Sequence, residues 1–198
     1  MTQESKSKKA DTVLKINELI AKRWSPRAFD PEKKVSKTQI EQLLTAASWA
    51  ASSYNDQPWR FIVGTHPDDE NYQKIMRSLW EFNQDWAKTA PVLMVICGNT
   101  ISDQTGKQNT HYAYDCGQSI ANLSIQATEM GLFVHQMAGF KPEEIEKSFD
   151  LPKEIKPLTA LAIGYQGDAN DIPKELQEGE KAERQRKPLE DLIIGGLK

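Results

Sequence analysis

Apolar positions along the chain follow two patterns, a helical spacing and short continuous apolar runs. The helical spacing predicts helices over 11–23, from 36, over 66–80, 82–88 and 109–130, from 141, and within 168–186. The continuous runs predict strands over 60–64, 91–97, 133–136 and 158–164. Because helices and strands alternate along the chain, the pattern predicts a fold of mixed α and β class.

Local signals mark the ends of some elements and the burial of others. Ser36 and Gln39 form a capping-box pair at the start of the second helix. The run 91–97 is apolar throughout, which is typical of a strand covered on both faces. Four strands are few for the apolar surface of the helix predicted over 109–130, so we expect a dimer partner to bury part of it.

The chain is expected to form one domain over residues 1–198, because neither an internal repeat nor a linker divides it. Residues 1–10 are polar and lysine-rich and predict a flexible arm, not a secretory signal. The longest apolar run, 90–97, is too short to cross a bilayer, so no membrane association is expected. Cys97 and Cys116 lack metal-ligand spacing and predict small buried residues, so a reducing cytoplasm is the simplest location.

The net charge of the chain indicates which classes of binding partner to expect. The chain has 25 basic and 28 acidic residues, a net charge of −3 and a pI near 5.7. Because nucleic-acid binders normally carry a basic excess, we expect no nucleic-acid partner. His66, His111 and His135 are scattered without ligand spacing, so we expect no metal site. Because the net charge is negative, any positively charged binding site must consist of a few basic residues and not of the whole surface.

Three stretches carry candidate chemistry. Residues 52–57 form a polar loop between a predicted helix and a predicted strand, a common place for a ligand. Arg23 and Arg27, with Ser25 between them, can surround a phosphate or a carboxylate, and Arg184 and Arg186 form a similar pair. Either arginine pair alone is more typical of an exposed charged segment. Together with the polar loop, the two pairs favour a site for one flat, anionic cofactor.

Taken together, these stretches resemble the nitroreductase family of flavin enzymes, and the resemblance covers about residues 16–192. The motifs that carry it are Arg23-x-Ser25-x-Arg27-x-Phe29, Ala51-Ser52-Ser53-x-Asn55-x-Gln57-Pro58-Trp59-x-Phe61, Asn83 followed by Ala90-Pro91, Gly131-Leu132, Gly139-Phe140 and Arg186-x-Pro188-Leu189. The resemblance implies an α+β fold in which helices flank a central sheet that is mixed but mainly antiparallel. It also implies an intertwined homodimer with FMN at the subunit interface.

The implied activity is an oxidoreductase that uses NAD(P)H as co-substrate. Hydride would pass through the flavin N5 to a small acceptor, such as a nitroaromatic or a quinone, in a ping-pong sequence. The flavin carries the chemistry in this family, so the resemblance implies no catalytic side chain. Two alternatives remain open: another flavin reaction on the same fold, of dehalogenase or dehydrogenase type, and a flavin-binding protein without turnover.

The resemblance also assigns residues to the cofactor. Arg23, Arg184 and Arg186 would hold the phosphate, Arg27 would support the reduced flavin, and part of the polar loop would come from the other subunit. The full set expected to bind the cofactor is Arg23, Trp24, Ser25, Arg27, Ala51, Ser52, Ser53, Asn55, Gln57, Asn83, Met137, Ala138, Gly139, Arg184 and Arg186. Two positions depart from the family pattern. Many relatives have a lysine where this chain has Trp86, and some have an acidic residue where it has Ala138.

Overall fold

The computed structural model describes residues 8–65 and 68–196. This part of the chain contains seven α-helices and four strands, with single 3₁₀ turns at Ser53–Asn55 and Leu189–Leu192. In chain order the elements are α1 (Glu18–Lys22), α2 (Lys37–Ser48), β1 (Trp59–Thr65), α3 (Glu70–Ser78), α4 (Glu81–Ala87), β2 (Val92–Asn99), α5 (Tyr112–Glu129), β3 (Phe133–Met137), α6 (Pro142–Ser148), β4 (Ile155–Gly164) and α7 (Lys174–Lys181). Most of the arm predicted over 1–10, and residues 66 and 67 at the predicted start of the third helix, lie outside the described residues.

The four strands form one sheet in the order β1-β2-β4-β3, and every pairing in it is antiparallel. The expectation of a mixed sheet is therefore wrong for the described residues, while the α+β class and the four strands are confirmed. A hydrophobic run indicates how deeply a strand is buried but does not encode the direction of its neighbour. The apolar pattern of β2 suits both directions equally well.

Strand β2 lies at the centre of the fold, and its side chains alternate between two layers. Leu93, Val95 and Cys97 pack into a cluster formed with α3, α4 and α6. Val92, Met94 and Ile96 pack on the opposite face against α2 and α5. All eight residues of the strand are buried, which confirms the prediction of a strand covered on both faces. Each fully buried aliphatic side chain of this kind contributes about 1.5–3 kcal/mol to folding.

Two helix starts differ from the sequence expectation because an asparagine side chain competes with the helix. The helix predicted over 11–23 is confined to α1, since Asn17 caps it by accepting a hydrogen bond from Leu19 N at 2.9 Å. Helix α5 begins at Tyr112 and not at 109, because Asn109 Oδ1 accepts from His111 N at 2.9 Å. The Ser36–Gln39 capping box of α2 forms as predicted.

The segment before α1 leaves apolar side chains uncovered. Val13 and Leu14, which the helical spacing places on an apolar stripe, are 102% and 69% exposed. Ile20 on α1 is also exposed. Nothing in the described part of a single chain buries this surface.

Candidate functional site

The first part of the candidate site is residues 23–28, here called the strap, which directly follow α1. Trp24, Pro26 and Ala28 are buried while Arg23, Ser25 and Arg27 are half-buried, so the strap alternates as an extended segment does. Beyond it the chain pairs with the segment after β4. Gly167 N donates to the Ala28 carbonyl at 2.9 Å, and Asp30 N donates to the Tyr165 carbonyl at 3.0 Å.

Three guanidinium groups gather beside the strap; Arg23, Arg184 and Arg186 are called the arginine cluster. Burial lowers the pKa of Arg23, and the charge of Arg186 lowers it further. Burial also lowers the pKa of Arg184, with further contributions from Arg23 and Arg186. Among the ion pairs of the described residues, none includes a member of this cluster. Three like charges that lack a carboxylate partner among the described residues would attract an anion.

Hydrogen bonds hold two of these arginines in place. Arg184 Nη1 donates to the carbonyls of Lys8 and Ala21, both at 2.8 Å, which fixes the C-terminal segment against α1. Arg23 Nη1 donates to Ser25 Oγ at 3.3 Å, so the serine lies within the same cluster. The remaining N–H groups of both guanidinium ions are available to a ligand.

Arg27 is the last half-buried residue of the strap and lies near His135. Its Nε is buried and has no hydrogen-bond partner among the described residues. His135 Nδ1 donates to the Pro26 carbonyl at 2.9 Å, a role that only a nitrogen carrying hydrogen can play toward a carbonyl. Burial lowers the pKa of His135 to about 4, and the positive charge of Arg27 adds to this effect. The imidazole is therefore neutral at pH 7.

Trp86 departs from the family pattern and lies in the core. Its ring is completely buried, its centroid is 4.5 Å from that of His135, and it stacks on Phe29 at 6.4 Å. The indole Nε1 is buried without a hydrogen-bond partner in the described part of the chain. Trp86 thus packs against Phe29, which follows the strap, and against His135, which is hydrogen-bonded to Pro26 of the strap.

Asn83 and Gly139, which are predicted to contact the same cofactor, meet directly. Asn83 Nδ2 donates to the Gly139 carbonyl at 2.9 Å, and Trp80 N donates to the same oxygen at 3.0 Å. A Cβ at position 139 would lie 2.6 Å from Asn83 Nδ2, so any larger residue there would displace the Asn83 amide. Of the preceding residues, Met137 is buried at the end of β3 and Ala138 is exposed.

The second part of the site is the polar loop, 52–57, between α2 and β1. Tyr54, Asn55 and Gln57 all have positive φ, at 53°, 56° and 49°. Residues other than glycine rarely adopt this conformation, which costs of the order of 1–2 kcal/mol at each position. Ala51, Asn55 and Gln57 are exposed, while Ser52 and Ser53 are partly buried.

Side chains from distant segments hold this strained loop. Asp56 accepts hydrogen bonds from Ser102 Oγ at 2.6 Å and from Asn109 Nδ2 at 2.8 Å. Asp115, buried in the first turn of α5, accepts from Ser53 N at 3.1 Å. Gln57 N donates to Ser52 Oγ at 3.1 Å. These contacts tie the loop to α5 and to the segment before it, on a different part of the chain from the arginine cluster.

The sequence reasoning missed several residues that shape the site. Glu180 is buried and accepts hydrogen bonds from backbone N–H groups of the strap, although it lies in a stretch interpreted as charged surface. Asp56 and His135 hold the loop and the strap. None of the three carries a local signal, because their partners lie 46 to 153 residues away in sequence.

Two kinds of feature are missing from residues 8–65 and 68–196. No group of three or more histidine, cysteine, aspartate or glutamate side chains is arranged to hold a metal ion there. No helix in these ranges has the length and apolar character needed to cross a membrane.

Comparison with known proteins places these observations in context. The sequence model of the Nitroreductase family matches residues 20–83 and 64–165 of the chain. A solved structure described as an oxidoreductase containing FMN superposes with a TM-score of 0.88 at 33% identity. That superposition covers 99% of this chain and 98% of the other.

Two curated relatives extend the comparison. An uncharacterized 15.4 kDa protein of Mycolicibacterium smegmatis is 31% identical over 144 residues, which cover 69% of this chain and 95% of that protein. The oxygen-insensitive NADPH nitroreductase of Helicobacter pylori is 35% identical over 83 residues. This alignment covers 42% of this chain and 38% of that enzyme.

Proposed function

The chain belongs to the nitroreductase family, and from this membership we propose that it is an FMN-dependent oxidoreductase. In this proposal it takes hydride from NADH or NADPH and reduces a small acceptor such as a nitroaromatic or a quinone. The observation that carries the proposal is the arginine cluster, whose three cations lack a carboxylate partner among the described residues. The descriptions of the FMN-containing structure and of the Helicobacter pylori enzyme support it.

The arginine cluster fits the phosphate of FMN. A phosphate monoester carries between one and two negative charges at neutral pH, and guanidinium forks match its oxygens well. Burial and, after it, mutual repulsion lower the pKa values of Arg23 and Arg184, and such an anion would relieve the repulsion. Ser25 Oγ, which already accepts from Arg23, could donate its own hydrogen to the phosphate or to the adjoining chain.

Arg27 fits the polar edge of the flavin ring. When bound, FMN supplies a ring nitrogen that accepts and releases hydride. Arg27 would place a fixed positive charge near the pyrimidine edge, where it favours the electron-rich reduced state. Its buried Nε has no acceptor among the described residues, and a ring carbonyl or nitrogen would provide one. Asn83 and Gly139 would lie along the same ring, with their approach fixed by the hydrogen bond between them.

The polar loop completes the site in this proposal, and it would come from a second copy of the chain. The uncovered apolar side chains of Val13, Leu14 and Ile20 provide surface for that second copy. Trp49, directly after α2, and Tyr54, within the polar loop, are also large exposed side chains. We therefore infer a homodimer in which each site combines the strap of one subunit with the loop of the other.

Steady-state turnover tests the proposed activity. The flavin-loaded protein is assayed with NADH and with NADPH against a panel of quinones and nitroaromatics. The proposal expects acceptor-dependent oxidation of at least one of the two nicotinamides. If FMN is bound but neither NADH nor NADPH reduces it above the background rate, the result would instead support a flavin-binding protein without turnover.

Arg186 and Lys187 form a matched pair of variants for the phosphate assignment. Both are exposed neighbours with the same charge. Arg186→Ala is expected to weaken FMN binding about tenfold, the effect of losing one charge-assisted hydrogen bond. Lys187→Ala is expected to stay within about twofold of the wild type, as is usual for an exposed charge. Equal FMN occupancy of both variants after dialysis would contradict the assignment.

A further inference from the structure

Glu180 is a buried carboxylate whose contacts are to the backbone of the strap. It lies near the end of α7 and is 3% exposed. Its Oε1 accepts hydrogen bonds from Arg27 N at 3.0 Å and from Ala28 N at 3.1 Å, and its Oε2 accepts from Arg27 N at 3.1 Å. No ion pair of the described residues includes it, although Lys8 lies close enough for the two charges to interact.

A carboxylate withdrawn from water must be compensated by strong hydrogen bonds. Glu180 receives them from two N–H groups of an extended segment that would otherwise lack an acceptor on that side. The arginines are thereby left free of this negative charge. The carboxylate therefore joins two segments that are 153 residues apart in sequence.

Glu180 links two segments of the chain that both carry arginines of the cluster. Arg184 and Arg186 follow it by four and six residues, and Arg23 precedes Arg27 by four. The two halves of the arginine cluster therefore belong to the two segments that Glu180 joins. These halves carry like charges that repel each other: burial is the main cause of the lowered pKa values of Arg23 and Arg184, and the charges of the neighbouring arginines lower them further. Arg184 Nη1 already links the C-terminal segment to the Ala21 carbonyl of α1, and Glu180 adds a link to the strap itself.

We propose that Glu180 is a positioning residue that assembles the phosphate-binding half of the cofactor site by fastening the strap to the C-terminal segment. The proposal rests on the proposed function, since it assumes that the arginine cluster receives the FMN phosphate. Glu180 itself touches no ligand in this account. Because Arg27 N is one of its donors, Glu180 also helps to hold the residue assigned to the ring edge. The arginine cluster contacts only the phosphate, so loss of Glu180 is expected to weaken binding of FMN more than binding of riboflavin, which lacks the phosphate.

Three substitutions separate the reach of the side chain from its charge. Glu180→Gln keeps the Oε1 position, which accepts from both Arg27 N and Ala28 N, and removes the charge. Glu180→Asp keeps the charge but shortens the side chain by one methylene. Glu180→Ala removes both. Glu183→Ala, at an exposed position of the same segment, is the matched control.

The measurement is the dissociation constant of each variant for FMN and for riboflavin, with hydrogen exchange at the amides of Arg27 and Ala28 as a second readout. Glu180→Ala and Glu180→Asp are expected to weaken FMN binding at least about tenfold, and riboflavin binding less than about threefold. Glu180→Gln and Glu183→Ala are expected to keep the wild-type preference within about threefold. Exchange at both amides should accelerate in the alanine and aspartate variants only.

A simple charge effect predicts a different pattern. Removing a negative charge near three arginines would tighten FMN binding in both the glutamine and the alanine variants and leave the aspartate variant unchanged. That pattern would overturn the proposal, as would equal weakening of FMN and riboflavin. If the alanine variant does not fold, the aspartate variant alone distinguishes the two patterns.

The failure of the proposed function gives a separate result. A wild-type protein that binds FMN no better than riboflavin would contradict the phosphate site itself. A wild-type preference for FMN that survives in the alanine and aspartate variants would contradict only the role of Glu180.

Discussion

The strap with its arginine cluster and the polar loop are two halves of one candidate site, yet they are built in opposite ways. In the arginine half the charges are uncompensated, since three cations lie close together without an ion-pair partner in the described chain. In the loop half the side chains are satisfied and the backbone is strained, with three positive φ values within four residues. The unfavourable free energy in the arginine half comes from repulsion between like charges, and that in the loop half comes from the backbone conformation.

This difference determines what a ligand can add to each half. An anion that neutralises the arginine cluster stabilises the folded chain directly, because it relieves an existing repulsion. The loop gains less, since Asp56 and Asp115 already hold it in its strained shape. We therefore expect the arginine half to respond strongly to cofactor, charge and pH, and the loop half to respond mainly to backbone changes.

The largest expected effect is the pH dependence that His135 contributes on the arginine side. Its folded pKa of about 4 lies below the usual 6.5, so its stabilising contribution is complete above pH 6.5. The contribution is lost progressively as the pH falls from 6.5 toward 4, and it amounts to at most about 3 kcal/mol. His135→Asn, whose amide can still donate to Pro26, should lose this dependence. Urea unfolding of both proteins between pH 4 and 8 measures it, and identical pH profiles would contradict the prediction.

Arg23→Ala should affect the two forms of the protein in opposite directions. FMN binding is expected to weaken about 30- to 100-fold, since a partly desolvated guanidinium makes strong bonds to phosphate. The cofactor-free protein should become slightly more stable, because the variant removes one of three repelling charges. Titration calorimetry with FMN and thermal unfolding of the cofactor-free protein measure the two effects. Lys22→Ala, at the exposed neighbour, is the control, and a less stable cofactor-free Arg23→Ala protein would be evidence against the repulsion.

A smaller effect is expected from relieving strain in the loop half. Tyr54 has φ of 53° and is 92% exposed, whereas Trp49 has φ of −90° and is 82% exposed. Tyr54→Gly should raise the free energy of unfolding by about 0.5 kcal/mol, because glycine adopts positive φ without strain. Trp49→Gly should lower it by about 0.5–1 kcal/mol, because it adds only flexibility to the unfolded chain. Urea unfolding compares them, and a loss of stability in both variants would show that the loop is not strained.

The sequence predicts those structural features that depend on residues close together in the chain. The Ser36–Gln39 pair specifies the start of α2, and the apolar run of β2 specifies its burial on both faces. The start of α1 is misjudged because the capping by Asn17 outweighs an apolar stripe that has nothing to pack against in the described part of one chain. The antiparallel direction of the sheet is a property of strand pairs, and no single strand records it.

The candidate site follows the same division. The family resemblance groups the arginines at 23, 184 and 186. In the fold, burial lowers the pKa values of Arg23 and Arg184, and the charges of neighbouring arginines in the cluster lower them further. Their role with FMN stays a prediction, as do the roles of the loop residues and the second subunit. Glu180 and His135 could not be found from sequence, because a buried carboxylate and an exposed one look alike until the chain is folded.

A crystal structure of the protein purified with FMN would test the central claim most directly. The account predicts the phosphate of one FMN within hydrogen-bond distance of Arg23, Arg184 and Arg186, with the strap still fastened to Glu180. A phosphate bound elsewhere, with these three arginines in solvent, would contradict it.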